Sequence, residues 1–328
     1  MRGPGAWSRL GPPQEPEGGS SGRLAPARIG QLIEIGTRIV RRRWKALVGT
    51  WFLLGGVAVL LEEAAGAHFG DVLAGMMTFA PDGRASLSTT DADLQRVASA
   101  FALAAATTVL TGLCFTVASL VAATYVEADY RGSPITFGSA LRSALRRAPT
   151  AVAMWLLSTL AAAAILVGCV LLSAAAVAIF PPSPGGTGGL GVLLALVVIV
   201  GGFVALVGIG IRLAVAPAVV AIEPVGAVES LRRSWHLTGH NAWRTLGLML
   251  LVGLVVAVLG ALVSELLTLL LVDPFLAEPA ALHTTAAVVL GAVVNLSFAP
   301  ILPVMLTVLY FDLRVRRDRL ELSVAPET

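Results

Sequence analysis

The sequence predicts an all-α integral membrane protein of about six transmembrane helices. Three observations carry the prediction: 56% of residues are hydrophobic, only 13% are charged, and the mean hydropathy is +0.85. A soluble domain carries about 25% charged residues. A chain with half that share cannot cover a water-facing surface, whereas lipid-facing helices need no such cover. The apolar runs are continuous rather than alternating, which points to helices and not to a barrel.

A hydrocarbon core about 30 Å thick takes about 20 helical residues to cross. Residues 1–25 are rich in Pro, Gly and Ser and hold no apolar segment of the secretory kind, so a disordered cytoplasmic tail is expected. Six apolar stretches follow: Lys45 to Leu61, Val97 to Tyr125, Thr150 to Phe180, Leu190 to Ile222, Ala242 to Val272 and Thr284 to Phe311. They make a membrane domain over 26–320, with 321–328 as a short second tail. Segment 62–96 reads as a solvated loop, and Pro181 to Gly189 as an uncharged turn. Cys114 and Cys169 both lie inside apolar stretches, which excludes a disulfide framework.

Charge orients the chain. With the N-terminus inside, 21 of the 23 Lys and Arg residues fall on the cytoplasmic side, leaving only Arg84 and Arg96 outside. The outer segments lean acidic, through Glu62, Glu63, Asp71, Asp273 and Glu278 among others. Trp44, Trp51, Trp155, Trp235, Trp243, Tyr125, Tyr130 and Tyr310 gather near the inner helix ends, as residues with one apolar and one wet end do. Both termini are therefore expected in the cytoplasm. The single lysine against 22 arginines, with abundant Ala, Gly and Val, suggests G+C-rich coding and a bacterial plasma membrane.

Each outward-going stretch is preceded by a short basic segment of helical period. Before the first, Ile29, Leu32, Ile33, Gly36, Ile39 and Val40 share a face; before the third, Phe137, Leu141, Ala144, Leu145 and Ala148; before the fifth, Val228, Leu231 and Trp235. Three units result, each an interfacial amphipathic helix followed by a transmembrane hairpin. Such helices lay apolar residues among lipid tails and arginines among phosphates. Arg142, Arg146, Arg147, Arg232, Arg233 and Trp235 are accordingly the candidate contacts for anionic phospholipids or for a protein partner at the cytoplasmic face.

Two stretches carry a family likeness. Arg212 to Glu223 leads into Glu229-Ser230-Leu231-Arg232-Arg233-Ser234-Trp235-His236-Leu237-Thr238, and the chain later reads Leu309-Tyr310-Phe311-Asp312-Leu313-Arg314. Over roughly residues 25–320 this resembles the bacterial glycerophosphoryl diester phosphodiesterase membrane-domain family. The resemblance implies a membrane architecture and carries no active site. The soluble barrel that names the family takes about 250 residues, and membrane segments occupy that room here.

Ionisable residues inside a membrane are costly and often functional. Arg212, Glu223, Glu265 and Asn295 are the candidates for an intramembrane polar site, Arg212 pairing with Glu223 or Asp312. Pro217 in the fourth stretch and Pro300 and Pro303 in the sixth are expected to interrupt their helices, because proline lacks a donor and clashes with the preceding turn. His236 and His240 stand four apart, but Leu237 follows the first where a zincin has glutamate, so no metal is expected. The sequence shows no nucleophile–base pair, phosphate loop or dinucleotide fingerprint. No cofactor, catalytic residue or nucleic-acid partner is expected. The leading expectation is a non-enzymatic membrane protein that binds lipid or a partner, or acts as a scaffold; the alternatives are a transporter or lipid-moving protein, and an accessory module for glycerophospholipid turnover.

Overall fold

A computed structural model describes residues 28–79, 85–87, 90–180, 188–276 and 280–317; the expected tails, Glu278 and most of the Pro/Gly turn lie outside them. The first helix, α1 (Ile29–Met76), joins the basic segment and the first apolar stretch across a kink at Arg43, where φ is −114° and ψ is 16°. One buried stripe runs through the kink, from Leu32, Gly36 and Ile39 to Leu47 and Trp51. The segment before the first span is thus packed inside the protein, with Met305 seated in the space that Gly36 leaves open. Lipid does not cover that stripe. The expectation of an apolar face turned to the bilayer is corrected here.

The expected solvated loop 62–96 is also corrected over most of its length. The helix α1 continues to Met76, Met77–Phe79 pairs antiparallel with Ala85–Leu87, and α2 (Asp91–Tyr130) begins well before the apolar run. Packing explains the extension: Ala65 is buried and the Phe69 and Phe101 rings lie 6.2 Å apart. The N-terminus of α2 is capped by Thr90, whose hydroxyl accepts from Asp93 N, and Asp91 and Asp93 sit where the helix dipole favours acid. Beyond α2 the chain turns through Gly132, whose φ of 60° suits a residue without Cβ.

The third helix, α3 (Phe137–Ile179), starts with a capping box between Thr136 and Ser139 and runs on through Pro149. Ala140, Ala144, Ala151 and Met154 are buried on one face on both sides of that proline, so tertiary packing carries the helix past the lost hydrogen bond. Interruptions are present at Pro217 and Pro300 as expected, whereas Pro303 lies in the first turn of α10 (Ile301–Arg317) and breaks nothing. The fourth stretch divides into α4 (Gly188–Leu213) and the short α5 (Ala216–Ile222), with Pro217 in the first turn of α5. The sixth divides at Ala299 and Pro300 into α9 (Ala280–Phe298) and α10 (Ile301–Arg317).

Only before the fifth stretch is the amphipathic segment a separate helix, α6 (Ala227–Thr238). It is followed by α7 (Ala242–Leu267), a π-helical turn (Thr268–Val272) and the single-turn α8 (Asp273–Leu276). Among the described residues, six helical stretches are long and apolar enough to cross a membrane: 29–76, 91–130, 137–179, 189–222, 242–272 and 282–317.

The buried core gathers toward one end of this bundle. Six of the seven residues of α5 are buried, as are Val304 to Leu313 of α10 for the most part and Leu120 to Val126 of α2. In α7 only Thr245, Leu248 and Val252 are buried, all in its first half. Beyond them Leu254, Leu259 and Leu262 are exposed, as are Leu166, Val170 and Leu171 on α3 and Leu196, Val200 and Phe203 on α4. Contiguous apolar surface on that scale requires a cover other than water.

Candidate functional site

The packed end of the bundle is also its basic end, and two layers of charge can be told apart there. The inner layer is satisfied by the protein itself. Helix α5 ends with carbonyls that have no partner in the helix, a general property of helix C-termini. Arg147 of α3 supplies donors, giving Nη1 hydrogen bonds to Val220 O (2.8 Å) and to Glu223 O. The Glu223 carboxylate accepts from Tyr310 Oη at 2.6 Å and lies 3.6 Å from Arg233 Nε. Arg314 Nη1 in turn donates to Tyr310 Oη at 3.4 Å.

Asp312, its side chain 4% exposed, receives Arg316 Nε at 2.9 Å and stands 3.2 Å from Arg244 Nη2. The Phe311 ring between these two acidic anchors stacks on Tyr130 at 4.6 Å. On the α1 side, Arg43 lies over the Tyr125 ring and Arg42 pairs with Asp129 at 3.1 Å. The Tyr310-Phe311-Asp312 run therefore ties α2, α5, α6 and α7 to α10. Its chemistry is structural. A buried carboxylate needs its cations.

The outer layer is open. Arg212 ends α4, and its carbonyl accepts from Ser234 Oγ at 2.7 Å and from Thr238 Oγ1 at 3.2 Å. Those two hydroxyls, four residues apart, lie on the buried face of α6 with Ser230 and Leu237. The opposite face of α6 turns outward, with Val228 68% and Trp235 49% exposed. Between this face and the ends of α4 and α10 lies a cleft of about 620 Å³. Leu213, Val228, Leu231 and Trp235 form its apolar wall, and Arg212, Arg232, His236, His240 and Arg317 its basic one. The Arg212 guanidinium stands over the Trp235 ring, 5.4 Å from its centroid. Arg317 Nη1 approaches His240 Nδ1 at 2.6 Å. A guanidinium can only donate, so Nδ1 accepts and the imidazole hydrogen sits on Nε2. Among the described residues that line the cleft, none is acidic.

This layering divides the residues expected from sequence. Arg142 and Arg146 are exposed on α3. Arg232 is also exposed, its side chain 81% accessible and 3.7 Å from Glu229. Arg147 and Arg233 turn to the inner layer instead, where the carbonyls of α5 and the Glu223 carboxylate receive them. The four residues expected to form one intramembrane polar site do not meet. Arg212 and Glu223 are both at the basic end, in different layers. Glu265 is exposed near the far end of α7, 23 residues after Ala242, or about 34 Å along a helix. Asn295 is exposed on α9.

The chain belongs to a family described as a domain of unknown function, DUF7847. The family model matches residues 92–312, from the start of α2 to Asp312 on α10. No curated protein and no solved structure matches the chain. The matched region holds the inner layer up to Asp312 and the Arg212, Trp235 and His240 parts of the cleft. Arg317 lies beyond it.

Sequence reasoning missed Gly239, His240 and Arg317 as site residues. In the sequence His240 stands out only by its spacing from His236, and no group of three or more metal-binding side chains occurs among the described residues. Arg317 follows Arg314 and Arg316 in a run that reads as bulk positive charge. Nothing in that run tells which of the three turns toward α6.

Proposed function

We propose that this protein is a multi-pass plasma-membrane protein whose basic, cytoplasmic end binds anionic phospholipid, organising lipid or holding a partner there. In this reading the six long helices form three hairpins and both termini face the cytoplasm. One observation supports it above the others. The helix α6 turns Val228 and Trp235 away from the core, with the half-buried Leu231 next to them on the cleft wall, beside the exposed Arg232 and a basic cleft. An apolar face bordered by arginine suits the boundary between acyl chains and phosphates.

Each basic residue near an anionic surface contributes about 1 kcal/mol, or about fivefold in binding. Replacing Arg142, Arg146 and Arg232 together by Gln is therefore expected to cut the anionic lipid retained through detergent purification severalfold or more, measured by lipid mass spectrometry. Unchanged lipid content in a folded triple variant would overturn the reading.

A second reading, an accessory module for glycerophospholipid turnover, follows the likeness to the glycerophosphoryl diester phosphodiesterase membrane-domain family. The two stretches that carry that likeness converge in the structure. Glu223 of the first accepts from Tyr310 of the second. Under this reading the chain alone has no phosphodiesterase activity and gains a role only beside a catalytic partner, which an assay with and without the soluble enzyme distinguishes.

A further inference from the structure

Two arginines of the outer cleft come together with no acid between them among the described residues. A Cβ placed on Gly239 would lie 3.2 Å from Arg212 Nη1 and 3.5 Å from Arg317 Nη1, so both guanidinium tips stand within 3.5 Å of one point. Both are held by neutral partners. Arg212 rests over the Trp235 ring, and Arg317 donates to the His240 imidazole. Neither has a carboxylate partner among the described residues. An aromatic face and an imidazole nitrogen position a guanidinium without neutralising it, and no carboxylate among the described residues does so. Two like charges this close repel, and an anion seated between them removes that repulsion while accepting from both.

The glycine is part of the arrangement for reasons of space. Its backbone is ordinary right-handed helix, with φ −50° and ψ −51°, so an L side chain is conformationally allowed there. What a side chain would meet is Arg212 Nη1 and the carbonyl of His236, the latter at 3.3 Å. Gly239 keeps the gap between the guanidiniums open. The hydrogen that His240 carries on Nε2 leaves that ring a donor besides the bond it accepts from Arg317.

We infer that Arg212 and Arg317 clasp one phosphate group across Gly239, carried by an amphiphile whose apolar part lies along Val228, Leu231 and Trp235. The phosphate is matched by paired forks of N–H donors, and the apolar stripe on the same cleft selects an amphiphile over a soluble ion. The inference rests on the anionic-lipid reading above and sharpens it from a diffuse charged belt to a single site.

The test uses the full chain in nanodiscs of phosphatidylcholine with a minor share of phosphatidate, and counts bound phosphatidate by native mass spectrometry. The wild type is expected to retain one. Arg212→Gln and Arg317→Gln are each expected to weaken that binding at least tenfold, and Gly239→Ala to weaken it without loss of fold. Thermal unfolding of each variant checks the fold; Arg317, at the last described turn of α10, is the substitution least able to disturb it.

Glycerol 3-phosphate and inorganic phosphate, titrated into phosphatidylcholine-only nanodiscs, separate the sources. Binding of either as tight as phosphatidate would overturn the amphiphile. Equal phosphatidate retention by wild type and a folded Arg212→Gln/Arg317→Gln double variant would overturn the clasp. The Arg142→Gln/Arg146→Gln variant is expected to lose bulk anionic enrichment and keep the single bound lipid. If instead enrichment by the wild-type belt holds while no lipid binds one-to-one, the clasp alone fails.

Discussion

Arginine side chains at one end of this protein do two different things, and exposure to donors' partners decides which. Arg147 and Arg233 sit beside positions 146 and 232 in the chain, yet they turn inward to the carbonyls of α5 and the carboxylate of Glu223. Arg142, Arg146 and Arg232 remain exposed. A pair such as Arg146-Arg147 reads as two equal charges in sequence, because nothing local shows where the end of α5 will come to rest. The energetic contrast is testable. Asp312→Ala strips a buried carboxylate from between Arg244 and Arg316 and is expected to cost about 3 kcal/mol. Arg142→Gln is expected to change stability by less than about 0.5 kcal/mol. Thermal or denaturant unfolding in detergent compares them directly, and equal costs would contradict the assignment of inner and outer layers.

Among elements, the junction of α4 with α6 shows how a helix end becomes a site. Arg212 can be presented to the cleft because the carbonyl behind it is held by Ser234 and Thr238. Removing both hydroxyls by Ser234→Ala and Thr238→Val is expected to destabilise the junction by about 2 kcal/mol, at about 1 kcal/mol for each hydrogen bond. Faster amide exchange in α6, with α3 and α9 unaffected, is the expected signature. Uniform change across all helices would point to a global rather than a local role. The breaks that open this end were legible: Pro217 and Pro300 both mark interruptions, for the local reason that proline lacks a donor. The continuity of α3 through Pro149 was not legible, since it depends on Ala144 and Ala151 packing on one face. Nor was the burial of the first amphipathic stripe, which depends on Met305 from the other end of the chain.

For the whole molecule, the uneven burial is the governing feature. One end is a packed core tied by Tyr310, Phe311 and Asp312, while the distal parts of α3, α4 and α7 present leucine, valine and phenylalanine on their surfaces. Such rods are stable only in a medium as apolar as themselves. In a background lacking Cys114 and Cys169, a cysteine at Arg146 is expected to react with a membrane-impermeant thiol reagent only after the cells are opened, and one at Asp91 in intact cells. The reverse pattern would invert the orientation drawn from the distribution of positive charge.

The amino-acid sequence by itself determined that six stretches are apolar and long enough to cross a bilayer, where two of them break, and at which end the positive charge collects. Each of these depends on composition, on period or on the covalent constraint of proline, all of which act over a few residues. Only the tertiary structure decided which arginines are spent on the protein's own carboxylates and carbonyls and which stay available. That choice turns on where the end of α5, Glu223 and Asp312 come to rest, at positions distant in the chain from most of the arginines they take up. A charge acquires its role from what lies within a few ångströms of it, and the packing of α4, α6 and α10 sets those distances.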